Sequence, residues 1–479
     1  MNRDEGQLGH GTGQLMINPI THIHPSRPLR RSKFQFTKQA HSLLLPMTIP
    51  ELYEHYLQHP GITTDTRKIN AGDIFFALKG PNFNGNLFAA QALASGASLA
   101  VTDEDVPEQD ERIVRVANVL EALQQLAQHH RRQFSIPFLA ITGSNGKTTT
   151  KELINAVLSS SFIVYATKGN LNNHIGIPLT LLSVKKDAQI AVIEMGANHQ
   201  KEIEGYCVYT EPTHGLITNC GKAHLEGFGG EEGVKKGKGE LFEYLAAHNG
   251  TAFIMNDYDY LVNMSRNIPS VVTYGTGQAH TVGHVTGSEP FLNMTATTGN
   301  ETITFNTSLV GAYNLPNVLA AVSTGLYFGV PPANIKKAVE AYVPGNSRSQ
   351  LVQYGPIQVI LDAYNANPGS MRSAITNFGG IKAENKILVL GAMAELGTAS
   401  IAEHEALVEL IGQYEWKAVI LTGGDFMKIG HPYIKAANAG EAAAWLQHNL
   451  PEKAYLLVKG SRSMQMEKVL EVIEEKGKR

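Results

Sequence analysis

The stretch AITGSNGKTTTKE, at positions 140–152, constrains the fold of this chain more than any other. The apolar run FLAIT leads into a turn with two glycines, and Lys147 and Thr148 then open a predicted helix. Backbone N–H groups and the helix dipole at such a helix start favour a bound phosphate. The usual phosphate loop, G-x-x-x-x-G-K-[ST], requires glycine where this chain has Ile141, so the turn is shorter here. A strand–turn–helix corner with an incidental lysine therefore remains an alternative.

The rest of the chain alternates short apolar runs with helical segments. Buried strands are predicted for FLAIT, IAVIEMG, GLITN and TAFIMN in the middle of the chain, and for IQVILDAY, KILVLGAM, AVILTGG and AYLLVKG near its end. This rhythm predicts the α/β class, with parallel sheets between layers of helices. No G-x-G-x-x-G fingerprint follows the first strand of the last part, so NAD binding is not expected.

Two side chains fall at the sheet edge where the phosphate loop is predicted. Glu194 ends the strand IAVIE, which should lie beside FLAIT, and ligands of open α/β sheets gather at the carboxyl ends of strands. A carboxylate there suits Mg²⁺, which prefers oxygen ligands. His224 follows the strand GLITN at the same edge, although imidazole is an unusual ligand for this ion. The alternatives are an exposed loop acid and a histidine with no part in binding.

Composition and breaks in the pattern divide the chain into four parts. Residues 1–46 are rich in Gly, Gln, His, Arg and Pro and lack apolar periodicity, so we expect a disordered or non-native extension that activity does not need. A small mixed domain is expected at 47–133, a central domain at 134–342 and a last domain at 343–479. Prolines mark both internal boundaries.

The overall composition narrows the class of protein. A net charge of -3 offers no basic excess for a nucleic-acid partner. Only two cysteines are present, which fits a reducing compartment rather than a disulfide framework. No apolar run approaches the roughly 18 residues that a membrane-spanning helix needs. We therefore expect a soluble cytoplasmic protein with no nucleic-acid or membrane partner.

A set of longer motifs resembles the Mur ligase family, whose members form amide bonds with ATP during peptidoglycan synthesis. The stretch Thr142–Thr149 matches the family loop T-G-[ST]-N-G-K-[ST]-T. The resemblance covers nearly everything after residues 1–46 and rests on DTRKINAGDIFFALKG, TKGNLNNHIGIPLTLL, VIEMGANHQKEI, AHLEGFGG, KGKGELF, YNLPNVLAA, DAYNANPGSM, GAMAELG and VKGSRSMQME.

The resemblance implies a three-domain α/β fold. Its parts would be a small N-terminal α/β domain that binds UDP, a central P-loop ATPase-like domain with a parallel sheet, and a C-terminal Rossmann-like domain. DAYNANPGSM and GAMAELG favour the family branch that adds D-Ala-D-Ala to UDP-N-acetylmuramoyl-tripeptide. The implied reaction passes through an acyl phosphate and releases ADP and phosphate. ATP and Mg²⁺ are the implied cofactors, and a monomer is expected.

The family pattern also implies roles for positions of this chain. The matching catalytic residues are Lys147, Glu194, His224 and Lys238. The last matches a lysine that is carbamylated in the family, because a carbamate offers Mg²⁺ the oxygens that an ammonium lacks. The implied Mg²⁺ ligands are Thr148, Glu194, His224 and Lys238. The implied ATP contacts are Gly143, Ser144, Asn145, Gly146, Lys147, Thr148, Thr149, Asn314, Asn317, Arg348 and Asp362.

Substrate contacts are implied in the first and last domains. The matching residues are Thr64, Asp65, Thr66, Arg67, Asn365, Asn367, Lys459 and Arg462. Hydroxyl groups and an arginine can bind a pyrophosphate, which fits the first four of them. Alternatives without a ligand stay open for three residues: Asp65 as a turn cap, Asn314 as a helix cap, and Lys238 as one of three lysines on a solvated helix face.

The chain departs from the family pattern at two places near the implied nucleotide. Tyr313 stands where many members have histidine before the first asparagine of YNLPN. The segment PGNSRSQ, which contains Arg348, is longer than the usual P-G-R.

Three other functions share parts of this pattern. The family branch that adds the third residue carries D-N-P-[RA], which is absent here, and folylpolyglutamate synthases lack the UDP-binding domain. A regulatory protein that binds the nucleotide without catalysis would not need Lys147, Glu194, His224 and Lys238 together. The sequence favours a ligase of the dipeptide-adding branch and leaves the third residue of its peptide, lysine or diaminopimelate, open.

Overall fold

The computed structural model describes residues 47–107, 110–345 and 347–478. The predicted extension at 1–46 lies outside these residues. Within them, no helix is both long and apolar enough to cross a bilayer.

The first region carries a parallel four-stranded sheet with strand order β1-β2-β5-β6. Thr48 and Glu51 form a capping box that starts the first helix, and Asn118 caps the third. β3 and β4 form a separate two-stranded antiparallel hairpin. The elements are α1 Ile49–Gln58, β1 Ile62–Thr63, β2 Ile74–Phe76, β3 Lys79–Gly80, β4 Phe83–Asn84, α2 Ala89–Ala94, β5 Leu99–Thr102, β6 Ile113–Arg115 and α3 Val119–Arg131.

The end of α3 is anchored on the next region by a buried arginine. The guanidinium of Arg131 donates to the carbonyl oxygens of Thr210 at 2.9 Å, Phe134 at 2.9 Å and Glu211 at 2.8 Å. It also lies 3.9 Å from the centre of the Phe138 ring. Because a buried charge needs several partners, these contacts fix the first region firmly on the second.

The central region carries a nine-stranded sheet with order β15-β14-β13-β12-β11-β10-β7-β9-β8. The strand FLAIT lies between its parallel neighbours β9 and β10, so the three carboxyl ends meet at one edge. The elements are β7 Phe138–Thr142, α4 Lys147–Ser159, β8 Val164–Ala166, α5 Gly176–Leu182, β9 Ile190–Glu194, α6 Glu202–Thr210, β10 His214–Ile217, α7 Leu225–Phe228, α8 Glu231–Ala247, β11 Thr251–Met255, α9 Asp259–Met264, β12 Ser270–Gly275, β13 Thr281–Gly287, β14 Phe291–Thr298, β15 Glu301–Val310, α10 Leu315–Tyr327 and α11 Pro332–Ala341.

The C-terminal region carries a six-stranded sheet with order β16-β17-β21-β18-β19-β20. All neighbours are parallel except the antiparallel pair of β16 and β17. The elements are β16 Gln350–Tyr354, β17 Ile357–Asp362, α12 Pro368–Gly380, β18 Lys386–Gly391, α13 Ser400–Ile411, β19 Ala418–Thr422, β20 Ile434–Ala436, α14 Ala439–Asn449, β21 Ala454–Lys459 and α15 Leu470–Gly477.

The predicted α/β class is confirmed, and each of the eight predicted apolar runs forms a strand. The central sheet is not wholly parallel, however, because β14 pairs antiparallel with both β13 and β15. This extension was not predicted. Its strands alternate buried and exposed residues, as expected for strands that are half covered.

Candidate active site

The glycine turn after β7 forms a loop whose backbone closely approaches its neighbours. Gly143 and Gly146 have φ values of 142° and 81°, which other residues rarely adopt. A side chain on Gly143 would collide with the Thr218 side chain, and one on Gly146 would meet the Asn317 amide. Helix α4 then begins at Lys147, as predicted. The shortened turn therefore delivers a helix start and a lysine to the sheet edge.

The lysine of this loop is held in a poorly solvated position. The Lys147 Nζ donates to the carbonyl oxygens of Gly143 at 2.5 Å and Ser144 at 3.2 Å. Burial lowers the pKa of Lys147 to about 8. The negative charge of Glu194 opposes this shift, and the positive charge of Arg348 adds to it. A lysine at the start of a helix, with the charge of an arginine acting on it, favours a bound anion.

Glu194, at the end of β9, is buried with one carboxylate oxygen unpaired. Its Oε1 accepts from the Thr148 hydroxyl at 3.1 Å and from Asn172 Nδ2 at 2.7 Å. Its backbone N–H donates to Thr167 Oγ1 at 2.9 Å. Its Oε2 is buried and has no hydrogen-bond partner. An unsatisfied carboxylate oxygen beside a threonine hydroxyl is a donor set that fits a hard cation such as Mg²⁺.

His224, in the loop after β10, contacts the C-terminal region. Its Nδ1 lies against the Glu395 carboxylate, and this contact with the His224 ring lowers the pKa of Glu395. Among the described residues, no group of three or more His, Cys, Asp and Glu side chains is placed to hold a metal. A metal at this edge would therefore be held by Thr148 and Glu194. Its other ligands would have to come from a chemically modified side chain or from side chains that move towards it.

Lys238 is the buried one of the three lysines on α8. Its side chain is 1% exposed, its Nζ donates to the Ala197 carbonyl at 2.9 Å, and it lies 4.8 Å from the centre of the Phe228 ring. Burial holds the pKa of Lys238 well below its usual value, and the charge of Lys147 lowers it further. Lys235, by contrast, pairs with Glu232 near the surface at 2.6 Å. The solvated-face alternative is therefore wrong for Lys238.

A cavity of about 980 Å³ lies beyond the carboxyl ends of β7, β9 and β17, between the central and C-terminal regions. It brings together fifteen of the predicted residues, namely Ser144, Asn145, Gly146, Lys147, Thr148, Thr149, Glu194, His224, Asn314, Asn317, Arg348, Asp362, Asn365, Asn367 and Lys459. An adjoining cavity of about 770 Å³ shares Thr148, His224 and Arg348 with it and is also lined by Arg462. Gly143 and Lys238 line neither cavity.

The asparagines of YNLPN brace the phosphate loop. Asn317 accepts from the Thr150 hydroxyl at 3.0 Å and donates to Asn314 Oδ1 at 2.9 Å. Asn314 donates in turn to the Val310 carbonyl at 2.9 Å. Asn314 occupies the residue before α10, but its side chain accepts no hydrogen bond from a backbone N–H of the first turn, so the capping alternative is wrong for its side chain.

The C-terminal region contributes an ion pair and a direct contact with the phosphate loop. Asp362 and Lys459 end neighbouring strands, and Lys459 Nζ donates to Asp362 Oδ2 at 2.6 Å. Asn367 caps α12 and donates from Nδ2 to Asn145 Oδ1 at 2.7 Å. The guanidinium carbon of Arg348 lies 3.6 Å from the centre of the Tyr364 ring. The two regions therefore meet directly across the cavity.

The four predicted residues of the first region lie apart from both cavities. Asp65 caps the turn at Thr66–Lys68 and pairs with Arg67 at 2.8 Å. The side-chain hydrogen bond from Arg67 lowers the pKa of Asp65 to about 2. The capping alternative for Asp65 thus describes its geometry, and the side chain of Arg67, although paired with Asp65, is 86% exposed.

Among the residues of the site that were not predicted from the sequence are Asn172 and Glu395, and the contact of Tyr313 with the C-terminal region was not predicted either. The stretch TKGNLNNHIGIP was recognised as a motif, so Asn172 could have been found there. Glu395 lies in the quoted motif GAMAELG and Tyr313 in YNLPNVLAA, but their contacts join distant parts of the chain and leave no local pattern.

Comparisons with known proteins agree with this architecture. Three family models match in order: "Mur ligase family, catalytic domain" at 59–131, "Mur ligase middle domain" at 141–325 and "Mur ligase, glutamate ligase domain" at 347–462. The chain is 36% identical over 437 residues to the UDP-N-acetylmuramoyl-tripeptide–D-alanyl-D-alanine ligase of Escherichia coli (strain K12), covering 87% of this chain and 94% of that one.

Two solved structures are similar over almost their whole length. MurF from Acinetobacter baumannii has 30% identity and a TM-score of 0.81, covering 90% of this chain and 99% of that one. MurF ligase from Thermotoga maritima, solved in complex with ADP, has 26% identity and a TM-score of 0.80, covering 88% and 99%. Together with the three sheets and the shortened phosphate loop, these similarities show that the chain belongs to the Mur ligase family.

Proposed function

We propose that this chain is an ATP-dependent ligase that joins D-Ala-D-Ala to UDP-N-acetylmuramoyl-tripeptide and releases ADP and phosphate. The names of the similar ligases support this substrate pair, and the ADP complex of the Thermotoga relative supports ATP as the nucleotide. The observation that carries the proposal is the unpaired, buried Oε2 of Glu194 beside Lys147 and Thr148, at the edge of a cavity shared by two regions.

The residues of the cavity suit transfer of a phosphoryl group from ATP. Lys147 and the N–H groups at the start of α4 would bind its terminal phosphates, and Arg348 would face them from the C-terminal side. Asp362 and the bracing asparagines would hold the rest of the nucleotide. Mg²⁺ held by Thr148 and Glu194, with His224 and a carbamylated Lys238 as further ligands, would offset the negative charge of the phosphates.

The chemistry proceeds in two steps. The terminal carboxylate of the tripeptide attacks the γ-phosphorus of ATP, so an acyl phosphate forms and ADP leaves. The neutral amine of D-Ala-D-Ala then attacks the acyl carbon, the amide bond forms, and phosphate departs as the amine loses a proton. Both steps need water to be excluded, and docking of the C-terminal region on the central region, as through Asn367 and Asn145, serves that purpose.

We further propose a division of labour among the domains. Residues 47–133, with Thr64, Asp65, Thr66 and Arg67, would hold the UDP-sugar, 134–342 would bind ATP, and 343–479 would complete the site for the dipeptide. Asn365, Asn367, Lys459 and Arg462 are the proposed contacts there, although the bond from Lys459 to Asp362 also gives this lysine a role in orienting that carboxylate. The protein would act as a monomer in the cytoplasm, where its nucleotide-linked substrate and ATP are available.

A coupled assay of phosphate release tests the proposal. Purified protein with ATP, Mg²⁺ and UDP-muramoyl-tripeptide should release phosphate only when D-Ala-D-Ala is added, and the product mass should increase by that of the dipeptide less water. Offering the lysine and the diaminopimelate tripeptides separately identifies the third residue. Phosphate release that is indifferent to the dipeptide would exclude the ligase and favour a nucleotide-binding protein without this reaction.

A further inference from the structure

The segment that joins the central and C-terminal regions carries Arg348 to both cavities. Its backbone is strained on each side of this residue, because Ser347 and Ser349 have φ values of 56° and 46°. Residues other than glycine avoid this left-handed conformation, so surrounding contacts must hold it. The contacts that hold the backbone of Ser347 and Ser349 therefore determine where the guanidinium of Arg348 lies.

Ser349 is held from both regions at once. Its backbone N–H donates to Asp362 Oδ1 at 3.1 Å, at the end of β17 in the C-terminal region. Its Oγ lies 3.0 Å from the hydroxyl oxygen of Tyr313, which follows β15 in the central region. The Tyr313 hydroxyl therefore links the nucleotide side of the central region to the residue next to Arg348.

The side chain of Arg348 is oriented by a separate set of contacts. Its guanidinium stacks on the Tyr364 ring, and the Tyr364 N–H donates to the Ser347 carbonyl at 3.3 Å. The stack sets the plane of the guanidinium, whose donor fork suits a phosphate. The position of that plane along the cavity depends on the backbone, and hence on Ser347 and Ser349.

We propose that Tyr313 is a positioning residue for phosphoryl transfer, acting through Ser349 to hold Arg348 at the phosphate end of the cavity. The inference rests on the proposed function. Tyr313 does not need to touch the reacting atoms for this role. Since its hydrogen bond crosses between two regions, Arg348 reaches its place only when the C-terminal region is docked.

Tyr313→Phe keeps the ring as part of the cavity wall and removes only the hydroxyl. Loss of one hydrogen bond of ordinary net strength should lower kcat for dipeptide-dependent phosphate release about fivefold, and KM for ATP should rise by a similar factor because the misplaced guanidinium also binds the triphosphate less well. In an Arg348→Ala background the same substitution should lower kcat no further, because the residue that it positions is gone. Ser349→Ala should match Tyr313→Phe, and the double variant should be no worse.

Tyr165→Phe is the matched control. It removes a hydroxyl that donates to Asp187 at 3.0 Å, outside both cavities, and should leave kcat unchanged. The inference is wrong if Tyr313→Phe keeps wild-type kcat, or if Tyr313→Phe and Arg348→Ala lower kcat by independent factors.

A binding measurement separates this inference from the proposed function. Calorimetric titration with ADP and with ATP carrying a β,γ-methylene bridge requires no turnover. The preference for the triphosphate should fall about fivefold in Tyr313→Phe, and not at all when that change is added to Arg348→Ala. A wild-type protein that releases no phosphate with the dipeptide would overturn the function, whereas an unchanged preference in Tyr313→Phe would overturn the role of Tyr313.

Discussion

The buried amine of Lys238 leads to a prediction about stability as well as activity. Burial first, and then the charge of Lys147, hold the pKa of Lys238 well below its usual value in the folded protein. The unfolded chain exposes the same amine with an ordinary pKa of about 10.4. Between the two pKa values the unfolded chain binds one more proton, so this lysine makes stability rise with pH by about 1.4 kcal/mol per pH unit.

Lys238→Met removes the titrating group and keeps an apolar side chain of similar length. Between the folded and the unfolded pKa, removing the deprotonation cost should stabilise the protein by about 1.4 kcal/mol for each pH unit below about 10.4. The lost hydrogen bond to Ala197 should take back about 1 kcal/mol of this gain. Ligation should be abolished in the same variant, and bicarbonate should not restore it.

The assay is urea unfolding, followed by circular dichroism at half-unit steps from pH 7.5 to 10, in buffer free of Mg²⁺ and CO₂. Where the pH lies between the folded and unfolded pKa values of this amine, the slope of unfolding free energy against pH should be lower in Lys238→Met than in the wild type by about 1.4 kcal/mol per unit. Lys235→Met, on the same helix but paired with Glu232 near the surface, should keep the wild-type slope. Parallel slopes for Lys238→Met and wild type would refute the reasoning, and normal ligation in that variant would remove the carbamate from the mechanism.

Three further predictions follow from the geometry. Glu194→Gln should lower the ligation rate at least 100-fold and raise the Mg²⁺ concentration for half-maximal rate, as measured by Mg²⁺ titration; an unchanged titration would exclude Glu194 as a ligand. Asn367→Ser should keep the cap of α12 but lose the bond to Asn145, so KM for ATP should rise with little change in Tm. Asn367→Ala should in addition lose about 1 kcal/mol of stability because the cap is lost as well. Equal Tm values for the two variants would contradict this. Burial lowers the pKa of His214 to about 4, so as pH falls from about 6.5 the unfolded chain gains a proton first, and the stability of the protein should drop by about 1–3 kcal/mol towards pH 4. In thermal unfolding, His214→Gln should lose less stability than the wild type over this pH range. An equal loss of stability would show that His214 is not its source.

The parts of the fold that can be predicted from the sequence are those encoded by contiguous stretches of residues. FLAIT and IAVIE are continuous apolar runs, and they do form adjacent parallel strands with Glu194 at the shared edge. The antiparallel strands β14 and β15 contain many threonines and polar residues at alternate positions, so their signal is weaker than that of a fully buried strand.

The parts of the site that escaped prediction are contacts between distant segments. Lys459 and Asp362 meet because their strands are neighbours in a sheet whose order differs from chain order, and the sequence alone does not specify that order. The bond between Tyr313 and Ser349 depends on how two regions dock. Burial of Lys238, rather than of the nearby Lys235 or Lys236, follows from which side of α8 faces the sheet, and only the family motif selected it from the sequence.

The anchoring of Arg131 has a consequence for synthesis and for exchange of parts between relatives. Two of its three carbonyl partners, on Thr210 and Glu211, are about 80 positions later in the chain, so Arg131 is synthesised long before the oxygens that accept its hydrogen bonds. The first region therefore reaches its final stability only after α6 has been synthesised. A chimera that transplants residues 47–133 alone separates this arginine from its partners at the end of α6. A transplanted segment that keeps these contacts must extend through Glu211.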